Sequence, residues 1–306
     1  METRLFDASP IFDTKVNGIL SYMISLNKYT VAALMLSLVL VILVVFVFAR
    51  GLRKDLQVTD YTLRFENLPS SFDGLRIAQI SDLHGCTVDD LIESVQSFSP
   101  DLIFCTGDVF DGVQHADVTM DILEHCQNIA PVYFVSGNHE YYSGHWKDRF
   151  EELERLGFHM MDNRVETISR NGQTIEIAGL RDPDLNWTWS ASRRLKVLKE
   201  DLKTLPEKQN FRLMLFHRAD LFEELSPANP DAVFSGHLHG GHWRLFNHGV
   251  IAPSDGDHSQ LFPKYDAGVF EHDGMKLIVS RGLGDQMSVP RLFNRPELVL
   301  VTLHTD

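Results

Sequence analysis

The sequence predicts an α/β domain of mixed β-sheets covered by helices, preceded by one N-terminal transmembrane helix. Three observations carry this. The run Val31–Ala49 holds 19 residues without a charge and with a single serine. Between residues 75 and 157, short apolar strands alternate with amphipathic helical segments, the pattern of parallel strands joined by helical crossovers. From residue 165 onward hairpins with Asn-Gly and Asp-Gly turns appear, so the sheets are mixed.

The remaining composition bounds the class. The chain has 306 residues, 44% hydrophobic and 23% charged, which excludes global disorder and a collagen-like fibre. The net charge of −14 argues against a nucleic-acid binder, which needs a basic footprint. A phosphate substrate remains allowed, because bound cations reverse the local charge of a site. Cys86, Cys105 and Cys126 form no disulfide framework and no Cys-x-x-Cys pair, and they fit a reducing compartment. Neither a nucleophile elbow nor a Gly-rich nucleotide fingerprint is present.

In chain order, residues 1–30 form an N-terminal segment with one apolar patch, residues 19–26. Residues 31–50 form the membrane helix, whose 19-residue apolar run is roughly 28 Å long at 1.5 Å per residue, which matches a hydrocarbon core. A signal-peptide apolar region is shorter, ~7–15 residues, and lies nearer the N-terminus, so the run reads as an uncleaved, single-pass anchor. Arg50, Arg53 and Lys54 cluster after it, whereas Arg4, Lys15 and Lys28 are spread out before it. The positive-inside rule then favours a catalytic domain on the cytoplasmic side of the cell membrane. Residues 51–74 read as a linker or lead-in to a domain spanning 75–306. Strands are expected at 75–80, 101–107, 131–137, 211–216, 231–236 and 297–303. Helices are expected at 87–98, 117–126, 145–157 (closed by Gly157) and 191–203, and hairpins at 165–180 and 268–282.

The chemistry-bearing residues follow the strands. Strand 75–80 leads into Asp82 and His84, and strand 101–107 into Asp108. Strand 131–137 leads into Asn138-His139-Glu140, strand 211–216 into His217, and strand 231–236 into His237-Leu238-His239. Ligands bind at the carboxyl ends of strands in open α/β sheets, and five strands each deliver Asp, Asn or His there. Mixed imidazole and carboxylate donors suit Zn, Fe or Mn better than Ca or Mg. Asp-x-His and His-x-His place two side chains on one side of an extended chain. Each piece alone is weak; the ordered set is not.

This set resembles the calcineurin-like metallophosphoesterase family over about residues 75–304. The tail 280–284, followed by Pro290 and Asn294-Arg295-Pro296-Glu297, looks like its membrane-associated bacterial branch, near UDP-2,3-diacylglucosamine hydrolases. The resemblance implies a four-layer αββα sandwich and two divalent ions (Mn, Zn or Fe). One ion would be held by Asp82, His84 and His239, the other by Asn138, His217 and His237, with Asp108 bridging and His139 catalytic. Leu238 departs from the threonine common between the two histidines, at a position that is not a ligand. The implied reaction is hydrolysis of a P–O bond by hydroxide formed on the ions, with His139 serving the leaving oxygen. The substrate would be a phosphodiester or lipid-linked pyrophosphate, or UDP-2,3-diacylglucosamine in lipid A synthesis specifically. A catalytically inactive phosphate- or lipid-binding scaffold is the reading from another class. Cys86 reads as a packing residue. Arg193, Arg194, Lys196 and Lys199, after Trp187 and Trp189, read either as a membrane-facing rim or as a solvated helix face and packed loop.

Overall fold

The computed structural model describes residues 28–112, 115–254, 259–284 and 290–306. The chain forms two units, residues 1–50 and 51–306. In the first, helix α1 (Lys28–Gly51) is apolar around its whole circumference. It is long and apolar enough to cross a membrane, with a mean hydropathy of 3.3. The apolar patch at residues 19–26 lies outside the described residues.

The second unit is built on two six-stranded sheets. The first comprises β1 (Gln57–Phe65), β2 (Leu75–Ile80), β3 (Leu102–Thr106), β4 (Val132–Val135), β5 (His159–Met160) and β16 (Glu297–Thr305), in the order β1-β16-β2-β3-β4-β5. Only the β16–β2 pairing is antiparallel. The second comprises β6 (Arg164–Arg170), β7 (Gln173–Leu180), β8 (Phe211–Arg218), β9 (Ala232–Gly236), β14 (Gly268–His272) and β15 (Met275–Val279), in the order β14-β15-β9-β8-β7-β6. Its two outer pairs are antiparallel hairpins. Two short ribbons, β10 (Arg244–Leu245) with β11 (His248–Gly249) and β12 (Ile251–Ser254) with β13 (Ser259–Leu261), follow β9.

The central strands read as continuous apolar runs because both faces are buried. Successive side chains alternate between faces. In β3, Leu102 and Phe104 enter the core between the sheets, with Leu213 and Phe234 from the second sheet. Ile103 and Cys105 face the outer core with α2 (Leu91–Phe98), α3 (Ala116–Ile129) and α5 (Trp146–Arg155). Met214 and Phe216 of β8 pack outward against α6 (Ala191–Leu202) and the 3₁₀ stretch Ala219–Ala228. Four layers result, αββα.

Three features differ from the sequence reading. Residues 51–74 are more than a lead-in: β1 pairs in parallel with β16 and sends Leu63 and Phe65 into the core between the sheets. Helix α2 starts at Leu91, because Asp90 takes a left-handed φ of 62° that the helix cannot include. Strand β8 runs on to Arg218, so His217 lies within it.

The sheets touch closely at Gly179 of β7. A methyl group there would come within 2.5 Å of Met161 Cβ and 2.7 Å of Val135 Cγ1. Gly179→Ala should overpack this contact and cost roughly 1–3 kcal/mol, measured as a lower urea midpoint with an unchanged slope.

Candidate metal centre

All seven predicted ligands and His139 come to one edge of the two sheets. β2 and β3 lead into Asp82, His84 and Asp108 from the first sheet, while β8 and β9 bring His217, His237 and His239 from the second. The seven candidate ligand residues are buried. Asp82, His84 and His239 form one group whose ligand atoms lie within 4.8 Å of one another, and Asp108, His217 and His237 form a second. His239 Nε2 is 3.1 Å from His84 Nε2 and 3.4 Å from Asp82 Oδ1. His237 Nδ1 is 3.2 Å from His217 Nε2. Asp108 Oδ2 stands between the groups, 3.2 Å from His217 Nε2 and 3.9 Å from His84 Nε2.

The backbone is bent to achieve this. Asp82, His84, Asp108, His237 and His239 all have φ between 46° and 72°. Such left-handed residues cost roughly 1–3 kcal/mol each and persist only where their surroundings over-determine them. Here Asp82 N–H donates to Gly107 O and His84 N–H to Asp108 O, both at 3.0 Å. The neighbouring glycines have no room for a side chain. A Cβ at Gly137 would come within 2.2 Å of Asp108 Oδ1, and one at Gly236 within 2.2 Å of Asp82 Oδ2.

The donor set fits divalent cations. Two facing imidazole nitrogens 3.1 Å apart need a proton or a cation between their lone pairs. Asn138 opens the short helix α4 (Asn138–Tyr142), and its Oδ1 is buried without a hydrogen-bond partner, the state of an amide oxygen awaiting a ligand. Burial opposes protonation of His217, yet Asp108 outweighs it and pushes the pKa up to about 10. That carboxylate demands a positive charge, which a metal ion supplies in place of the proton. Burial first, and then the Arg291 guanidinium, push His239 well below the usual histidine range, leaving its ring neutral.

A second layer of residues went unassigned in the sequence. Glu140 was visible in the motif but carried no role. Its Oε1 accepts from the N–H groups of Val109 and Phe110 at 2.8 and 2.9 Å, and its Oε2 from Gly137 and Asp108 at 2.7 and 2.9 Å. It therefore pins the loop after β3 to the loop after β4. Burial, and then the Asp108 carboxylate, raise its pKa to about 7 despite those four donors. Arg218, fully buried, reaches Asp182 at 3.0 Å, Asp184 at 3.2 Å and His237 Nε2 at 3.1 Å. Arg291 Nη2 lies 2.9 Å from His239 Nδ1. His217 Nδ1 meets Thr106 O at 2.7 Å, so that nitrogen carries the proton and Nε2 offers its lone pair to the site.

His139 sits at the rim, its ring edge-on to His84 at 4.8 Å. Its Nδ1 is 3.1 Å from Asp111 Oδ1. Burial lowers its pKa, but Asp108 and Asp111 outweigh that and push it up to about 9. Asp111 also groups with His84 and His139 and escaped the sequence reading.

Cys86 is half-buried, with its Sγ 3.8 Å from His84 O; it belongs to none of these ligand groups. The basic cluster dissolves into structure. Arg194 is buried, with Nη1 2.8 Å from Trp189 O and 3.4 Å from Asp184. Arg193 lies over the Trp189 ring, and Lys196 and Lys199 face Glu200 and Glu224 at the surface.

Comparison with known proteins agrees with this geometry. Residues 75–241 match the profile of the calcineurin-like phosphoesterases. The chain is similar to the uncharacterized metallophosphoesterase YkuE of Bacillus subtilis (strain 168), 29% identical over 84% of this chain and 88% of the relative. It is similar to the phosphodiesterase YaeI of Escherichia coli (strain K12), 26% identical over 74% of this chain and 82% of the relative. It is also similar to a Danio rerio transmembrane protein with a metallophosphoesterase domain, 27% identical over 64% of this chain and 47% of that protein.

Proposed function

The chain belongs to the calcineurin-like phosphoesterase family and is a metal-dependent phosphoester hydrolase, and from that premise we propose that it is a membrane-anchored phosphodiesterase with a two-metal site. Asp82, His84 and His239 would hold one divalent ion and Asn138, His217 and His237 the other, with Asp108 shared. The single observation that carries this is the Asp108 Oδ2 atom, poised between both groups. When bound, such a pair of cations clamps phosphoryl oxygens and acidifies water for in-line attack.

The chain's own side chains supply the rest. His139 is held through Nδ1 by Asp111, which leaves Nε2 to give a proton to the departing oxygen. Its raised pKa keeps that proton available at neutral pH. Arg218 and Arg291 lie against the outer nitrogens of His237 and His239 and pack both rings in place.

A cavity of about 260 Å³ adjoins the first group, lined among others by Arg53, Lys54, Cys86, Leu283 and Arg291. Its wall is tied to that group, because Gly284 N–H donates to Asp82 O and Leu283 N–H to Ser81 O. Cations beside apolar side chains suit a phosphate joined to an apolar moiety, such as a lipid-linked phosphate. Helix α1 would keep the site near such a substrate, and Arg50 in its last turn with Arg53 and Lys54 after it favour the cytoplasmic face.

The test is turnover by the detergent-purified full chain, loaded with Mn or Zn, on bis-p-nitrophenyl phosphate and p-nitrophenyl phosphate. The diester should be hydrolysed, and His139→Ala should lower kcat by about 10²–10⁴-fold. Protein carrying two ions per chain and hydrolysing neither compound would sink the phosphodiesterase reading in favour of a scaffold.

A further inference from the structure

Exposed large apolar side chains are scattered singly over most of the domain, at Val58, Leu156, Trp187 and Val269 for example. Single exposures are normal and need no account. The ribbons after the metal ligands are different. Phe246 is 89% exposed, Phe262 70%, Leu261 64% and Leu245 57%, with Trp243 and Phe293 also exposed. One hydrogen-bonded framework carries all six. Leu245 pairs with His248 and Ile251 with Leu261, Phe262 N–H donates to Val250 O, and Val250 N–H donates to Trp243 O. Trp243 in turn bridges to Leu292.

Folding alone does not account for these phenylalanines. Phe246, Phe262 and Phe293 are the phenylalanines with a left-handed backbone among the described residues, with φ of 49°, 51° and 54°. Phe246 and Asn247, both left-handed, make the two-residue turn between β10 and β11. Such a turn prefers Asn or Gly at both positions, and a bulky residue at positive φ is an outlier. An exposed aromatic ring there is disfavoured by backbone conformation and by water together. It occurs three times on one framework, a pattern that points to a surface covered in the working protein.

The same framework holds Gly51, the first residue of the second unit. Phe293 N–H donates to the carbonyl of Gly51, the last residue of α1. A Cβ at Gly51 would lie within 2.7 Å of Leu292 and 2.9 Å of the Phe293 ring. Whatever direction α1 takes, the point where the chain leaves it belongs to this surface. The framework is equally fixed to the ligands: Asn294 Nδ2 donates to His239 O and His242 O, and Gly241 packs directly on Gly249.

We propose that the β10–β13 ribbons, with Phe246 in the turn of the first, Phe262 at the open end of the second and Phe293 beside them, are a second membrane-contact face that inserts into the bilayer surface and holds the metal centre at headgroup level. The occupant is lipid, because the chain passes from the apolar helix directly into this surface at Gly51. The net charge of −14 opposes general attraction to anionic lipid, so attachment comes from burying aromatic and leucine side chains. Trp243, whose Nε1–H reaches Pro290 O, has the amphipathic character of an interfacial tryptophan. The proposal rests on the reading of α1 as an anchor.

The experiment uses the full chain in vesicles of equimolar phosphatidylglycerol and phosphatidylcholine, with and without bromine on the acyl chains of the latter. Phe246→Trp and Phe262→Trp each add one fluorophore to the four native tryptophans, and difference spectra against the unsubstituted chain isolate it. Most of the added emission should be lost in brominated vesicles and be shielded from acrylamide. Leu156→Trp, outside the framework, should show neither effect. Hydrolysis of bis-p-nitrophenyl phosphate should be unchanged in all three. Release of the chain by alkaline carbonate would overturn the anchor and the docking together. Retention of the chain with no bromine quenching at either position would overturn the docking alone.

Discussion

Asp108→Ala should lower phosphodiester hydrolysis at least about a thousandfold, the upper range for loss of one electrostatic group at a reacting centre, and should reduce the bound metal below two ions per chain. The reason is the double duty of this carboxylate. Its Oδ2 lies near both groups, at 3.2 Å from His217 and 3.9 Å from His84, so under the proposed assignment its removal weakens both positions. Its Oδ1 accepts from His139 N–H at 2.8 Å, so its removal also loosens the start of α4, which carries Asn138 and His139. Asp108→Asn separates the two duties. The amide oxygen can still accept from His139 N–H, but the negative charge between the groups is gone. Activity and metal content should be lost in both variants, while near-ultraviolet circular dichroism stays native in Asn and changes in Ala. Elemental analysis of the purified variants alongside bis-p-nitrophenyl phosphate turnover checks this. Two tightly held ions in Asp108→Asn, with near-normal turnover, would remove Asp108 from the shared position.

The grouping of these residues was legible because its signal is local: a polar residue of a metal-binding type immediately after an apolar strand, repeated in order. The helix-covered mixed sheets were legible for the same reason, since β3 and β8 each read as short unbroken apolar runs, whereas the four layers followed only from the resemblance. What escaped depends on partners far away in the chain. Strand β1 alternates, but its place in the sheet is set by β16, 240 residues later at Gln57↔Glu297. Arg218 is an ordinary residue in sequence until β8 brings it against Asp182 and Asp184 from the loop after β7. The ribbons are two to four residues per strand, too short for any periodicity. The helix expected from residue 87 begins only at Leu91, because Asp90 closes the preceding turn with its positive φ. Glu140 is the clearest case. A carboxylate that receives only backbone N–H groups leaves no mark on the residues it binds.

Glu140→Gln should be nearly as damaging as Glu140→Ala, although it changes one atom. Four buried N–H groups converge on the carboxylate, two on each oxygen. An amide presents one oxygen and one NH₂. Whichever way it turns, two backbone donors lose their acceptor and face another donor. An unsatisfied buried group costs about 1–3 kcal/mol, so Gln should lose about 2–6 kcal/mol and Ala somewhat more. At roughly 2–4 °C per kcal/mol for a domain of this size, the melting temperature of the metal-loaded chain should fall by about 10 °C. The released loops carry Asp108 on one side and Asn138 and His139 on the other. Metal affinity should therefore also drop, by the 10–100-fold typical of lost outer supports, and activity should return in part at high metal concentration. That recovery separates Glu140 from Asp108, whose loss would remove the proposed shared ligand and would not be offset by added metal. Thermal melts and metal titrations of the two Glu140 variants measure both effects. A Gln variant melting within about 2 °C of the parent would mean that water replaces the carboxylate at these donors, and that the loops are held by the ions instead.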